Sequence, residues 1–422
     1  MKKLVSLFLA LALLFSAALA EESADEAVEE IVEDVMLDDE DEPEEADADS
    51  GAAVPDQSVF TPSYGSPWQS APGASSYWTL PMDISDEEAV WNMLMEPITV
   101  VDIDMNKQTV LYAQPDESSE AIGMVTGQSQ SLHVLEQYDN GWSLVETYST
   151  SFHDSKVKNF NAFVTGYIQT KKLKTVKVNQ NYGIVIDKLT QRLYLYKDGH
   201  LETSLAVSTG KYNPDAKKLQ PYNETRSGEY LVIYTKTGSL KDEDSGMICS
   251  YALKFNAADY IHEVPHLVNA DGTNNYRRFE GNLGSRASHG CIRVQQKKNP
   301  DGYNMSVLAS LIKKRTDKNC IKLIIWEDYQ DRQVVIPDDD TPLYYNPKGG
   351  TMYHSVADCP SVKKKFLPLT AFTFGELDEA PYSKLTACPY CQPTPRRADL
   401  EEINRVHQES SPGEIMSVYP PK

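Results

Sequence analysis

Cysteine is scarce here, with six in 422 residues. Cys249, Cys291 and Cys320 stand alone, while Cys359, Cys388 and Cys391 crowd together near the end. That distribution excludes a small scaffold laced by disulfides. Cys249 and Cys320 could pair or be buried singly, and the sequence does not choose between them. Positive charge is also in deficit, with 40 Lys and Arg against 62 Asp and Glu, a net −22. No basic patch points to a nucleic acid partner. The deficit is local, because residues 21–50 hold seventeen acids and no base. Without that run and Lys2 and Lys3, 45 acids face 38 bases. The acidic run also lacks aromatics, so it reads as a solvated, self-repelling spacer.

The N-terminus reads as an export signal, residues 1–20. Lys2 and Lys3 precede an apolar run from Leu4 that closes on Ala18-Leu19-Ala20, the small-x-small pattern of a cleavage site. The run is at the short end of the ~17–25 residues a membrane span needs. No stable span is expected after cleavage, and no cysteine follows the run to carry a lipid. A secreted protein acting outside the cell or at the cell wall is therefore expected.

Residues 21–77 continue as acidic and then Pro/Ser/Gly-rich linker, expected to be disordered. The stretch SDEEAVWNMLME from Ser85 has the apolar spacing of a short helix with Ser85 as its cap. Short alternating strands follow to Val176, with Asp139-Asn140-Gly141 marking a hairpin. A helix plus small barrel is expected over 78–176. Its strand order, LYAQP…VTGQSQSLHVLEQYDNGWSLVE…GYIQTKKL, resembles a bacterial SH3-like domain. Trp142 either faces a ligand of that unit, such as a cell-wall component, or fills its core.

Residues 180–327 form a second β-rich unit. IVID and RLYLY alternate, Asp198-Gly199 makes a hairpin with SLAVS following, and GEYLVIYT, SYALKF, DYIHEV and CIKLIIWE read as further strands. NMSVLASLIKK has helical spacing. The expected fold is mainly β: a small barrel, then a β-sandwich with a few short helices, then a small metal-stapled tail.

Residues 287–294 read ASHGCIRV. A free cysteine is most often only a small buried hydrophobe. Here Ser288, His289 and Gly290 precede Cys291 and Arg293 follows. Gly290 permits close approach of backbone to a ligand, and amides of the turn could face a developing oxyanion. A thiol of ordinary pKa, about 8.5, is mostly protonated at neutral pH and needs a base to attack. His289, His262 and His266 are the candidates.

The ordered segments YGIVIDKLTQRLYLYKDG, LAVSTGKYNPD…TRSGEYLVI, YIHEVP and LGSRASHGCIRV resemble the L,D-transpeptidase catalytic domain, YkuD-like. The resemblance implies Cys291 as nucleophile and His262 as general base and acid. It implies that Ser288, His289 and Gly290 shape the pocket and oxyanion site. Gly284 permits the loop before the motif, and Arg293 orients that loop or holds a substrate carboxylate. His262 is preferred over His266, which follows Pro265 and is expected on a surface loop. The implied partners are peptidoglycan stem peptides. Cys291 would attack an L,D bond and expel D-alanine, and an amine acceptor would complete a 3→3 cross-link. Water as acceptor would give an L,D-carboxypeptidase, and a degenerate site would leave a wall-binding protein. No cofactor is implied for catalysis. Three positions depart from the pattern: Glu263 where Gly or Ser is usual, Arg226 where Pro is usual, and an insertion over 266–282.

The tail, 340–396, contains His354, Cys359, Cys388 and Cys391 at the spacing His-x4-Cys-x28-Cys-x2-Cys. Three thiols and an imidazole suit a closed tetrahedral zinc site, and the stretch resembles small zinc-ribbon-like tails. A disulfide with one thiol left over is the alternative. Residues 397–422 are a C-terminal extension.

Overall fold

The computed structural model describes residues 60–61, 84, 86–152, 155–211, 223–234, 239–242, 245–313, 321–326, 333–388 and 390–410. The expected signal segment, the acidic run, most of the linker, Ser85, Cys320 and the end of the C-terminal extension lie outside them. One piece of the expected linker is ordered, since Phe60–Thr61 pair antiparallel with Gln333–Val334. Among the described residues no helix is long and apolar enough to cross a membrane.

Eight strands close into a ring. In order around it they are Arg192–Lys197, His200–Ser208, Ile292–Val294, Tyr260–Glu263, Leu253–Lys254, Gly228–Tyr234, Ile321–Trp326 and Tyr182–Asp187. The fold is thus mainly β, and the strands expected as a sandwich join edge to edge as a barrel. Alternation along each strand sorts the side chains. Ile184, Ile186, Leu193, Leu195, Leu323 and Ile325 fill the interior. Met305, Leu308, Ala309 and Ile312 of the helix Met305–Lys313 pack into the same core. The opposite face of the same strands is also apolar, carrying Val185, Tyr194, Tyr196, Ile324 and Trp326. The helix Glu87–Met95 covers it with Val90, Met93 and Leu94. This helix therefore packs on the barrel that follows, although its place in the chain groups it with the preceding unit. Its cap is Asp86, whose side chain accepts the Ala89 N–H at 3.0 Å.

The expected hairpin turns form where left-handed backbone is cheapest. Asp198 and Gly199 both have positive φ, 49° and 97°, as a two-residue hairpin of right-handed twist demands. Gly141, φ 84°, closes the turn before the strand Trp142–Thr150. That strand belongs to a seven-stranded sheet built from residues 98–176. Its core holds Val101, Leu111, Ile122, Val125, Val145 and Val164. Trp142 is half-buried and meets Tyr112 edge to face, centroids 6.0 Å apart.

The sheet and the barrel are stitched together by polar bonds. The Leu231 N–H donates to Ser129 O (2.8 Å), and the Ser227 N–H to Asn161 Oδ1 (2.7 Å). A cleft of about 460 Å³ opens at this seam, lined in part by Tyr112, Phe152, Ala257 and Ala258.

The tail is a four-stranded sheet, ordered Thr370–Thr373, Pro342–Tyr345, Met352–His354, Thr386–Ala387. One cluster of its buried residues, Leu343, Tyr353 and Phe372, packs with Leu400 of the helix Arg397–Ser410 and with Leu189 of the barrel. A second cluster centres on Cys359, Cys388 and Leu369.

Candidate active site

Strand pairing brings the histidine and the cysteine together. Tyr260–Glu263 runs parallel to Ile292–Val294, with Ile261 opposite Ile292 and His262 opposite Arg293. Ile261 and Ile292 lie in the barrel core. Alternation then sets His262, Arg293 and the preceding Cys291 on the other face.

The two groups are both neutral at rest. Burial, and next the charge of Asp259, push the Cys291 thiol up to about 12, while the Tyr260 N–H and Arg293 act the other way. Burial pushes His262 down to about 4, the Glu263 carbonyl opposes this, and Arg293 adds to it. His262 Nδ1 lies 2.6 Å from the Glu263 carbonyl oxygen. A carbonyl only accepts, so a neutral ring carries its proton on Nδ1 and keeps the Nε2 lone pair. Burial thus favours a protonated thiol and an uncharged imidazole on one face of the paired strands.

The turn before the nucleophile is held from three sides. The N–H groups of Ala287 and Ser288 both donate to Thr209 O (2.9 Å each), and the Gly284 N–H to Val207 O (2.8 Å). Gly284 has φ 87°. Ser288 is fully buried, and its hydroxyl donates to Cys291 O (2.5 Å) while accepting the Gly290 N–H (3.1 Å). Gly290 is therefore not the free oxyanion donor that the turn suggested, since its amide is engaged. Thr225 Oγ1 donates to Gly290 O at 2.8 Å.

Gly290 adopts φ 122°, and a Cβ there would fall 2.5 Å from Asp259 Oδ1 and 3.0 Å from Arg226 Nη1. These two residues form a buried ion pair against the glycine, 3.2 Å at Oδ2 and 3.3 Å at Oδ1. Arg226 also donates to Ser151 O at 2.9 Å and lies 4.1 Å over the Phe152 ring. Burial raises the Asp259 pKa and Arg226 opposes it. Arg226, which stands out in the sequence only as a departure from proline, ties the seven-stranded sheet to the nucleophile turn. Asp259 carried no sequence signal beyond its place just before YIHEVP.

His289 stands at the exposed rim. What burial its ring has, with Arg293 and Lys211 beside it, lowers its pKa. Arg293 is buried; its Nη1 donates to Ala287 O at 3.4 Å, and its guanidinium lies 5.6 Å from the Phe279 ring centroid. Phe279 belongs to the short helix Arg277–Glu280 of the insertion. Cys249, missed by sequence reasoning, lies close enough to Arg293 and Cys291 to interact electrostatically with both. Burial raises its thiol to about 11.

His266 is not on a surface loop as expected. It is 4% exposed, because its backbone pairs with Ile248 and its ring packs 5.0 Å from Tyr276. The insertion folds as a hairpin, Leu267–Val268 against Asn274–Asn275, and then the short helix. It reaches back through the Tyr276 hydroxyl, which donates to Glu263 Oε1 at 2.8 Å. Burial pushes Glu263 up to about 7, and that hydrogen bond opposes it. In the tail, the ligand atoms of His354, Cys359, Cys388 and Cys391 lie within 4.8 Å of one another.

Solved structures similar to the chain include an L,D-transpeptidase from Stackebrandtia nassauensis. It is 16% identical over 36% of this chain and 58% of that one, with TM-score 0.23. The catalytic domain of the E. faecium L,D-transpeptidase is 18% identical over 35% of this chain and 98% of its own, TM-score 0.21. An L,D-transpeptidase from Mycobacterium tuberculosis H37Rv is 11% identical over 56% of this chain and 92% of its own, TM-score 0.25. No curated protein matches the chain. Residues 181–305, which contain Arg226, Asp259, His262 and the whole 287–294 turn, match the family described as YkuD, L,D-transpeptidase catalytic domain.

Proposed function

We propose that this chain is an exported cell-wall enzyme, a cysteine L,D-transpeptidase acting on peptidoglycan stem peptides. The observation that carries the reading is His262, with Nδ1 2.6 Å from the Glu263 carbonyl oxygen, paired opposite Arg293 and so on the same strand face as Cys291.

In the first half-reaction His262 Nε2 takes the Cys291 proton as the sulfur attacks the carbonyl of the stem's L,D bond. With both groups neutral at rest, the proton moves as the bond forms, and no standing thiolate is exposed to other electrophiles. The Cys291 N–H serves the oxyanion, since the Gly290 amide is engaged by Ser288 Oγ. Collapse breaks the C–N bond. The imidazolium returns its proton to the departing amine, D-alanine leaves, and the stem remains as a thioester on Cys291. In the second half-reaction an amine of a neighbouring stem attacks that thioester and His262 takes the amine proton. The new amide is a 3→3 cross-link and Cys291 regains its proton. Gly284 and Ser288 shape the turn. Arg293 orients it through Ala287 O, and His289 at the rim meets the substrate.

Water in place of the amine would make the same site an L,D-carboxypeptidase. The insertion over 266–282, which rims the site and bonds to Glu263, is assigned to excluding water and receiving the acceptor stem. The seam cleft beside Tyr112 and Phe152 is the proposed wall-ligand site of the SH3-like unit.

Wild type and Cys291→Ala are each incubated with purified disaccharide-tetrapeptide and the products read by mass spectrometry. A cross-linked dimer lacking one alanine, absent with the variant, is expected. Monomer lacking alanine without dimer would replace transpeptidation by hydrolysis. No Cys291-dependent product would remove the enzymatic reading and leave a wall-binding protein.

A further inference from the structure

We propose that His354, Cys359, Cys388 and Cys391 hold one zinc ion, and that this ion fixes the turn bracing the strand behind the nucleophile. The site stands apart from the acyl-transfer reading and does not depend on it.

The donor set is one imidazole and three thiols, brought from two separate turns. His354 ends the strand Met352–His354, and Cys359 lies five residues on. Cys388 directly follows the strand Thr386–Ala387, which pairs in parallel with Met352–Tyr353, and Cys391 closes the second turn. Sheet pairing thus carries the two halves to one place. Cys359 and Cys388 are fully buried, and His354 is 4% exposed. All four ligand atoms lie within 4.8 Å of one another. His354 Nδ1 and Cys391 Sγ are 3.6 Å apart. That is the edge of a tetrahedron with Zn–N of about 2.0–2.1 Å and Zn–S of about 2.3 Å. The three cysteines are free thiols. Around them the bonds suit thiolates, since the Ser355 N–H points at Cys391 Sγ (3.4 Å) and Ser361 Oγ lies 3.1 Å from Cys359 Sγ and 3.3 Å from Cys388 Sγ. One nitrogen and three soft sulfurs in a closed site select zinc and leave no open position for catalysis. Binding sends the thiol protons to solvent.

The second turn does more than close the site. Gln392, next to Cys391, is held at φ 45° with its N–H on Cys388 O (2.9 Å). A non-glycine residue stays in that region only where its surroundings impose it. From there its side-chain amide reaches Gln295 Oε1. Gln295 immediately follows the strand Ile292–Val294. The same Oε1 accepts the Ala206 N–H (2.7 Å), and the Gln295 N–H donates to Ala206 O (3.1 Å). The metal turn therefore presses on the joint between the nucleophile's strand and its neighbour, His200–Ser208.

The full chain, purified under reducing conditions, is assayed for metal by mass spectrometry and for thiols by alkylation. One equivalent of zinc is expected, with Cys359, Cys388 and Cys391 protected until a strong chelator is added. Cobalt reloading should give the visible absorption of tetrahedral cobalt–thiolate. Cys388→Ser and Cys391→Ser should lose the metal. If they fail to fold, reversible chelation and reloading of wild type serves instead. On chelation, amide hydrogen exchange over 292–295 should quicken at least several-fold. Gln392→Ala should keep its zinc yet show the same quickening. No zinc, or a disulfide within the three cysteines, would overturn the site. Zinc without any change over 292–295 on chelation would overturn the bracing.

Discussion

Replacing Arg226 by methionine tests how the nucleophile turn is held. Methionine keeps an unbranched stem over the Phe152 ring but removes both contacts to Asp259 and the bond to Ser151 O. Asp259 is 2% exposed and would be left as a buried charge without its partner. Breaking one half of a buried pair costs about 3–5 kcal/mol, and Arg226→Met should lose that much in urea unfolding at pH 7. The loss has a sign in pH. Burial already raises Asp259, and without Arg226 its pKa rises further. A carboxyl raised above its unfolded value is least costly below that value, so the loss should shrink as pH falls toward 4. The double variant with Asp259→Asn carries no stranded charge and should recover at least ~1 kcal/mol over Arg226→Met alone. Alkylation of Cys291 supplies a second readout. Asp259 disfavours the thiolate, so Asp259→Asn should quicken alkylation at pH 8 and Arg226→Met should slow it. A double variant no more stable than Arg226→Met, or both single variants moving alkylation in one direction, would refute the electrostatic reasoning.

Two further outcomes follow from the same geometry. His262 sits near pKa 4 when folded, against about 6.5 when unfolded, so stability present above the unfolded value should be lost as pH falls through the folded one. The loss should approach ~3 kcal/mol by pH 4 and be absent in His262→Asn, measured by urea unfolding across pH. Gly290→Ala forces a Cβ to within 2.5 Å of Asp259 Oδ1 at φ 122°. It should cost at least ~2 kcal/mol and displace the turn, with turnover falling by more than about tenfold, whereas Gly284→Ala, with nothing near its Cβ, should cost only backbone strain.

Much of this was legible in the sequence because it is local. Period-2 alternation marked Tyr182–Asp187 and Arg192–Lys197 as strands, Asp198-Gly199 marked the turn into His200–Ser208, and Asp139-Asn140-Gly141 the turn before Trp142–Thr150. The L,D-transpeptidase resemblance rested on an ordered set of short motifs, and the family match falls on the same stretch. What stayed hidden is long-range. Ring closure depends on which strand edges meet, and the parallel pairing of Tyr182–Asp187 with Ile321–Trp326 joins segments far apart in the chain. The same holds for Arg226, whose partners Ser151, Phe152 and Asp259 come from two other segments. His266 misled because a histidine after proline reads as loop, while its burial depends on a pairing with Ile248. The helix Glu87–Met95 declared its apolar face but not which surface would receive it.

The central claim is that Cys291 carries the stem peptide as a thioester. Wild type, His262→Ala and Cys291→Ala are mixed with a stem tetrapeptide lacking an acceptor amine, quenched in acid and weighed as intact proteins. The account predicts a wild-type adduct equal to the tetrapeptide less alanine, mapped to Cys291, with little in His262→Ala and none in Cys291→Ala. An adduct that survives Cys291→Ala, or turnover of the peptide with no adduct at any time, would contradict it.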